Sequence, residues 1–170
     1  MKNIAVIFAG GTGQRMNTKA KPKQFLELHG KPILVYTLDQ FQKSDDVDWI
    51  ILVILNDWLE HCKELQEEYH LTKILSIVPG GRTGQESIFN GLKEAEKYSE
   101  EKSIVLIHDG VRPLIDDVTI NKDIECVKKH SSAITVTQAI ETVAMDSVEG
   151  KVGRIVDRSK CLMARAPQCF

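Results

Sequence analysis

The stretch Ala9-Gly10-Gly11-Thr12-Gly13-Gln14-Arg15-Met16, followed closely by Lys21-Pro22-Lys23-Gln24-Phe25, joins glycines to two well-spaced cations. Glycines let backbone N–H groups approach phosphate oxygens, while Arg15 and Lys23 can neutralise a polyphosphate and the extra charge of its transition state. This is the make-up of a nucleotide-handling loop. It is neither a dinucleotide fingerprint, since Arg15-Met16 replaces the third glycine, nor a P-loop, since no Gly-Lys-Ser/Thr follows. A plain strand-to-loop turn with solvated cations would explain the glycines alone; the added Arg15 and the Pro22-Lys23-Gln24 spacing weigh against it. Two further stretches carry chemistry of the same kind. Gly80-Gly81 with Ser87 offers backbone groups and a hydroxyl, or else a glycine turn and a helix-capping serine. Asp109 and Arg112 in His108-Asp109-Gly110-Val111-Arg112-Pro113 offer an acid and a base, or else a structural ion pair. His108 itself, at a strand end, reads as a packed, hydrogen-bonded residue.

The elements that must position these residues alternate. Ile4 to Phe8 is a continuous apolar run ending in glycines, as in a buried parallel strand. Pro32 opens a helical stretch with Leu34, Thr37, Leu38 and Phe41 on one face. Trp49 to Leu55 is the next strand, and Asn56 or Asp57 can cap a helix carrying Leu59, Cys62, Leu65 and Tyr69. Strands over Lys73 to Val78 and Ser103 to Ile107 flank a helix that contains Ser87, Ile88, Gly91, Leu92 and Ala95. A helix over about Val118 to Lys129 and a strand over Ala133 to Thr137 follow, with short β-like pieces around Glu149-Gly150-Lys151 after them. This βα alternation predicts a three-layer α/β domain with a mostly parallel sheet and right-handed crossovers. Ligands of such sheets bind beyond the carboxyl ends of the strands, so the loops at Gly10-Gly11, Gly80-Gly81 and His108-Asp109-Gly110 should line one crevice.

Composition bounds the function. The 170 residues carry 22 Lys plus Arg against 24 Asp plus Glu, a formal charge of −2, and 42% are apolar. That supports a single sizeable core and excludes disorder and collagen-like repeats. Without a basic excess, nucleic acid is not expected as the main partner, whereas a small anionic ligand needs only local charge. The longest apolar run, Trp49 to Leu55, falls far short of a bilayer span, and the glycines interrupt the N-terminal run before a signal peptide could form. No membrane partner and a cytoplasmic location are the expectation. The four cysteines, 62, 126, 161 and 169, show no CxxC pair or zinc spacing and read as reduced packing thiols.

These glycine and cation motifs, together with His108 to Pro113 and Ala166-Pro167-Gln168-Cys169-Phe170, resemble the cytidylyltransferases that activate sugar-alcohol phosphates. That family includes enzymes acting on 2-C-methyl-D-erythritol 4-phosphate, for isoprenoid precursors, and on ribitol 5-phosphate, for cell-surface polymers. The resemblance spans residues 1–170 in motif order. It implies a Rossmann-like nucleotidyltransferase fold as one domain, lacking the family's C-terminal part, with a protruding β-arm over about residues 139–158. It further implies that Ala9, Gly10 and Gly11 hold the cytidine nucleotide and that Arg15 and Lys23 stabilise the α-phosphate as catalytic residues. Gly80, Gly81 and Ser87 would line the cytosine and ribose side. Asp109 would stand beside ribose and Mg²⁺, and Asp109, Arg112, Thr142 and Arg158 would hold the acceptor. Arg158 would reach a neighbouring subunit on the arm, making a homodimer; a plain surface hairpin is the alternative. The expected reaction moves CMP from CTP to a polyol phosphate and releases pyrophosphate. By frequency in the family, methylerythritol phosphate ranks ahead of ribitol phosphate. An NDP-sugar-forming nucleotidyltransferase and a non-catalytic nucleotide-binding subunit are the other readings.

Three departures from the family pattern stand out. Ala166 replaces the threonine of the family's Thr-Pro-Gln, Gly84 stands where an arginine is more usual, and family members continue past the position of Phe170 with a second catalytic lysine.

Overall fold

A computed structural model describes residues 1–11, 21–146 and 150–170. Arg15, one of the two cations nominated for catalysis, lies outside the described residues, as does the start of the turn at Gly150. In chain order the elements are β1 (Asn3–Ala9), β2 (Glu27–Leu28), β3 (Lys31–Pro32), α1 (Ile33–Lys43), β4 (Trp49–Ile54), α2 (Leu59–Glu68), β5 (Ile74–Pro79), α3 (Gly84–Glu96), β6 (Ile104–Asp109), α4 (Asp117–His130), β7 (Ala133–Gln138), β8 (Val143–Asp146), β9 (Val152–Val156) and β10 (Leu162–Cys169).

Six strands form one sheet in the order β5-β4-β1-β6-β10-β7. β5, β4, β1 and β6 pair in parallel, and β10 runs antiparallel to both β6 and β7. The period-2 alternation of strand side chains splits the core in two. Ala5, Ile7, Ile50, Leu52 and Ile54 face the layer built by α1, α2 and α4 with Leu34, Phe41, Leu65, Ile120 and Ile124. Ile4, Val6, Ile51 and Val53 face α3 through Ala95 and Leu92. A strand apolar on both faces is what a central parallel strand needs. The expected three-layer α/β architecture is therefore present.

Pairing register brings the functional loops level. Ala9 pairs with Ile54, Ile54 with Pro79 and Phe8 with Asp109. The Gly80 N–H then donates to the Ile54 carbonyl at 2.7 Å, and the Gly110 N–H to the Phe8 carbonyl at 2.9 Å. The carboxyl ends of β1, β4, β5 and β6 consequently emerge along one rim.

The structure corrects several boundaries. Neither Asn56 nor Asp57 caps α2: residues 56–58 form a 3₁₀ turn, and Trp58 precedes the helix without a side-chain cap. Ser87 does not cap α3 either, because the Thr83 hydroxyl accepts from the Glu86 N–H in that role. β6 continues through His108 and Asp109, so both sit on the strand rather than on the loop. The region after β7 contains an eight-residue strand, β10, besides the β8-β9 ribbon. A proline argues against a central strand, but Pro167 falls where the β10-β7 register shifts between Ala164 and Gln168, a bulge that tolerates the missing N–H.

Gly91 on α3 illustrates how closely the smaller core is packed. A Cβ there would stand 2.5 Å from a Val6 methyl and 2.7 Å from a Val53 methyl, both on buried strands. Gly91→Ala should destabilise the fold, because overpacking of about 1–3 kcal/mol exceeds a helix-propensity gain of about 1 kcal/mol. A lower urea midpoint at unchanged slope checks this, and a higher midpoint would refute it.

Candidate nucleotide cleft

Ala9 ends β1, and Lys23 lines the cleft beside it. A 3₁₀ turn over Lys23–Phe25 follows Pro22, and two anchors hold it down. The Gln24 side-chain amide, fully buried, donates through Nε2 to the Ala9 carbonyl at 2.7 Å. Phe25, also fully buried, stacks on Trp58 with ring centroids 4.3 Å apart. Lys23 thereby lies along the glycine turn, its Cε 3.8 Å from where a Cβ on Gly11 would be. Among the described residues it forms no ion pair.

The second wall is the loop into α3. The Ser87 hydroxyl donates to the Thr83 carbonyl at 2.9 Å and accepts from the Gly81 N–H at 3.1 Å. Glu86 reinforces the turn by accepting from the Arg82 N–H at 2.6 Å. Side chains at two glycines would meet this hydroxyl: a Cβ on Gly10 would lie 3.0 Å from Ser87 Oγ, and one on Gly80 2.9 Å. Glycine is needed at both positions for the loops to close on the serine.

The third wall is the end of β6. Asp109 Oδ1 accepts from the Val111 N–H at 3.1 Å, and Oδ2 faces Arg112 Nε at 3.4 Å. The structural ion pair considered from the sequence thus exists, but Arg112 is more than half exposed, so the pair contributes at most about 1 kcal/mol. Its value lies in orienting the carboxylate. His108 behaves as expected of a packed residue: Nε2–H donates to the Arg112 carbonyl at 3.1 Å and the ring packs against Phe41. Burial holds its pKa below the ordinary value, with the Arg112 carbonyl only partly opposing.

A cleft of about 360 Å³ joins the three walls, lined by Ala9, Gly10, Gly11, Lys23, Gly81, Ser87 and Asp109 among others. Gly80 backs it through its approach to Ser87. Seven of the residues singled out in the sequence therefore border one cavity. Arg112 faces an adjoining cavity of about 610 Å³ with Thr135, Thr137, Arg165 and Ala166, and Val111 lines both. Thr142 and Arg158 are elsewhere. Thr142 lines a groove at the root of the β8-β9 ribbon, and Arg158 Nη1 donates to the Ile140 carbonyl at 2.9 Å. A groove of about 650 Å³ between α2 and β5 is more voluminous than the cleft but holds none of the predicted residues. Sequence reasoning did not nominate Gln24, Arg82 or Thr83, all of which line the cleft. Gln24 carried a signal in its place directly between Lys23 and an aromatic residue.

A mostly parallel α/β sheet with glycine-rich strand ends, an unpaired lysine and a single acid around one crevice defines a nucleotide-binding α/β protein of the transferase type. The family model described as 2-C-methyl-D-erythritol 4-phosphate cytidylyltransferase matches residues 3–170, and the chain belongs to that family of nucleotidyltransferases. A ribitol-5-phosphate cytidylyltransferase of Streptococcus agalactiae serotype V is 51% identical over 170 residues, all of this chain and 71% of that protein. A 2-C-methyl-D-erythritol 4-phosphate cytidylyltransferase of Clostridium acetobutylicum is 40% identical over 169 residues, 99% of this chain and 72% of that protein. Among solved structures, 4-diphosphocytidyl-2C-methyl-D-erythritol synthase from Anaerococcus prevotii superimposes with a TM-score of 0.81 at 30% identity, covering 99% of this chain and 70% of that one. Among the described residues no helix is long and apolar enough to cross a membrane.

His108 generates a pH prediction. Its folded pKa lies below the unfolded value of about 6.5. Below that pH the unfolded chain therefore binds the proton that the fold resists, and stability falls as pH drops through and beneath it. Urea midpoints measured from pH 7.5 down to 5.5 should decline, and His108→Gln should flatten that decline. An equal slope in the variant would remove His108 as the cause.

Proposed function

We propose that this chain transfers CMP from CTP to ribitol 5-phosphate, with release of pyrophosphate. The observation that carries the choice of acceptor is the gap between 51% identity to a ribitol-5-phosphate cytidylyltransferase and 40% to a methylerythritol-phosphate one. Ala166, in the wall of the cavity that holds Arg112, lacks the hydroxyl of the family's Thr-Pro-Gln, a departure from the pattern of both acceptor types that does not choose between them. Methylerythritol phosphate is the second reading, supported by the family description.

The proposed chemistry needs no covalent intermediate. A phosphate oxygen of the acceptor attacks the α-phosphorus of CTP, the bond from that phosphorus to the β-phosphate oxygen breaks, and pyrophosphate carries the electron pair away. Two anions must be held together while charge grows at phosphorus, which is work for oriented N–H groups and cations. Gly10 and Gly11 offer backbone donors at the end of β1, Lys23 supplies the ammonium beside them, and Arg15 is the second cation. Gly81 and Ser87 take the base side, and Arg112 takes the acceptor. Magnesium fits this donor set only as an ion carried mainly by the triphosphate: among the described residues no three metal-binding side chains converge, and Asp109 is the one acid in the cleft wall. Asp109 would hold it, and the ion would draw charge from the phosphates when bound.

The β8-β9 ribbon is the proposed dimer arm. Ile140, Val152 and Ile155 are exposed on or beside it, and Thr142 and Arg158 stand at its root, away from their own cleft. An arm reaching a second copy would bring those two residues to the neighbour's acceptor.

Pyrophosphate release from CTP with each acceptor tests the reading. Ribitol 5-phosphate should be the better substrate, and Lys23→Ala should lower turnover about 10²–10³-fold. Preference for methylerythritol phosphate would move the assignment to the second reading, and CTP binding without turnover would favour a non-catalytic subunit. Mixing Lys23→Ala with Arg158→Ala should restore activity if the arm completes the neighbour's site; additive silence of the mixture would sink the arm.

A further inference from the structure

Gln24 is a polar cleft residue buried completely within the fold. It donates through Nε2 to the Ala9 carbonyl at 2.7 Å, and among the described residues no donor reaches its buried Oε1. A buried acceptor without a partner costs about 1–3 kcal/mol, so an apolar side chain of equal size would fill this space at less cost. The bond it makes falls at a particular place. Ala9 is the last residue of β1, the next residue begins the glycine turn, and Lys23 precedes Gln24. Phe25, the last residue of the same turn, is anchored by stacking on Trp58.

We infer that Gln24 is a positioning residue for Lys23: its amide ties the 3₁₀ turn to the Ala9 carbonyl and so fixes the lysine ammonium beside Gly10 and Gly11. The inference rests on the proposed transfer reaction for its consequence in rate, though not for its geometry. A lysine has four rotatable bonds, and only its backbone can be placed by the fold. Placing that backbone from two directions, by the Gln24 bond and by the Phe25 stack, confines the arc the ammonium can sweep. Loss of one anchor lets the turn shift, and a displacement of about 1 Å at a charge-stabilising group costs up to about a hundredfold in rate.

The chosen variant is Gln24→Met, which keeps the volume and removes both polar groups. It should lower kcat on the order of tenfold to a hundredfold with little change in KM for CTP. Combined with Lys23→Ala, it should add almost nothing, because a residue acting through Lys23 has no effect once Lys23 is gone. Gln24→Glu should work best in acid, where a protonated carboxyl can donate to the Ala9 carbonyl, and should lose turnover as pH rises and the carboxylate faces that oxygen. A readout independent of turnover is the ¹³C-dimethyl-lysine signal of Lys23, assigned with Lys23→Arg in the chain as it stands. That signal should move in Gln24→Met while the other lysines hold. Additive losses in the double variant, or an unmoved Lys23 signal, would overturn the inference. Absence of turnover in the wild-type chain would instead count against the proposed reaction, and the lysine signal would still decide the role of Gln24.

Discussion

One hydroxyl fixes the geometry on which the cleft depends. Ser87 Oγ stands within about 3 Å of where side chains at Gly10 and Gly80 would begin, while it donates to Thr83 and accepts from Gly81. The ends of β1 and β5 and the first turn of α3 therefore close on a single oxygen. Glycine at 10 and 80 keeps both loops clear of that oxygen, and on the β5 side the N–H groups of Gly80, Gly81 and Arg82 are spent within the fold, on Ile54, Ser87 and Glu86. The parallel register beneath it, with Ala9, Ile54 and Pro79 level, is what lets the two glycine turns meet at all.

Electrostatics around this point are asymmetric. Many of the protein's cations have a carboxylate in reach: Lys2 has Asp48, Lys63 has Glu60, Lys97 has Glu94 and Lys128 has Glu125. Lys23 has none among the described residues, and the one acid across the cleft, Asp109, is already turned toward Arg112 and the Val111 N–H. A half-buried ammonium held at a concave rim of N–H donors attracts anions strongly, because the low-dielectric walls focus its field. The protein's net charge of −2 neither supplies nor opposes this. The buried thiols do not compete for a chemical role. Burial pushes the Cys62 thiol up to about 12 and raises Cys169 as well, with Asp123 nearby adding to the latter, so neither is a nucleophile near neutrality.

Much of the fold was legible because parallel strands advertise themselves. Runs such as Ile4 to Phe8 and Trp49 to Leu55 are apolar at every position, which only a strand buried on both faces sustains. The glycine punctuation after β1 and β5 likewise announced where ligand would sit, and the structure brings Gly11, Gly81 and Asp109 to one cavity as that rule requires. What was not legible depended on contacts between distant residues. β10 carries a proline, and its pairing is tolerated only because the partner strand shifts register opposite it. The cap of α3 is Thr83 rather than Ser87 because Ser87 is drawn inward to the glycines, a choice no local propensity encodes. Gln24 entered the sequence reading only through its spacing to Lys23; its burial, with its amide donating to the Ala9 carbonyl at the end of β1, depends on a contact fifteen residues away.

The two adjoining cavities carry the argument from binding to specificity. They meet at Val111, between an acid that faces the nucleotide side and Arg112, which faces the other. The proposed transfer between two anions would use such an arrangement, with Lys23 on one side and Arg112 on the other and the reacting atoms meeting where the cavities join. On that proposal the nucleotide side is built by backbone and by Ser87, whose bonds to Gly81 and Thr83 also hold the loop into α3 together. The acceptor side of the proposal is lined instead by side chains of β10 and β7: Ala166, Arg165 and Thr137 face the second cavity, and Arg165 Nε donates to the Thr137 hydroxyl at 3.1 Å. Those side chains can change without disturbing the parallel core. A shared nucleotide with different acceptors across one family is the outcome such a division of labour permits.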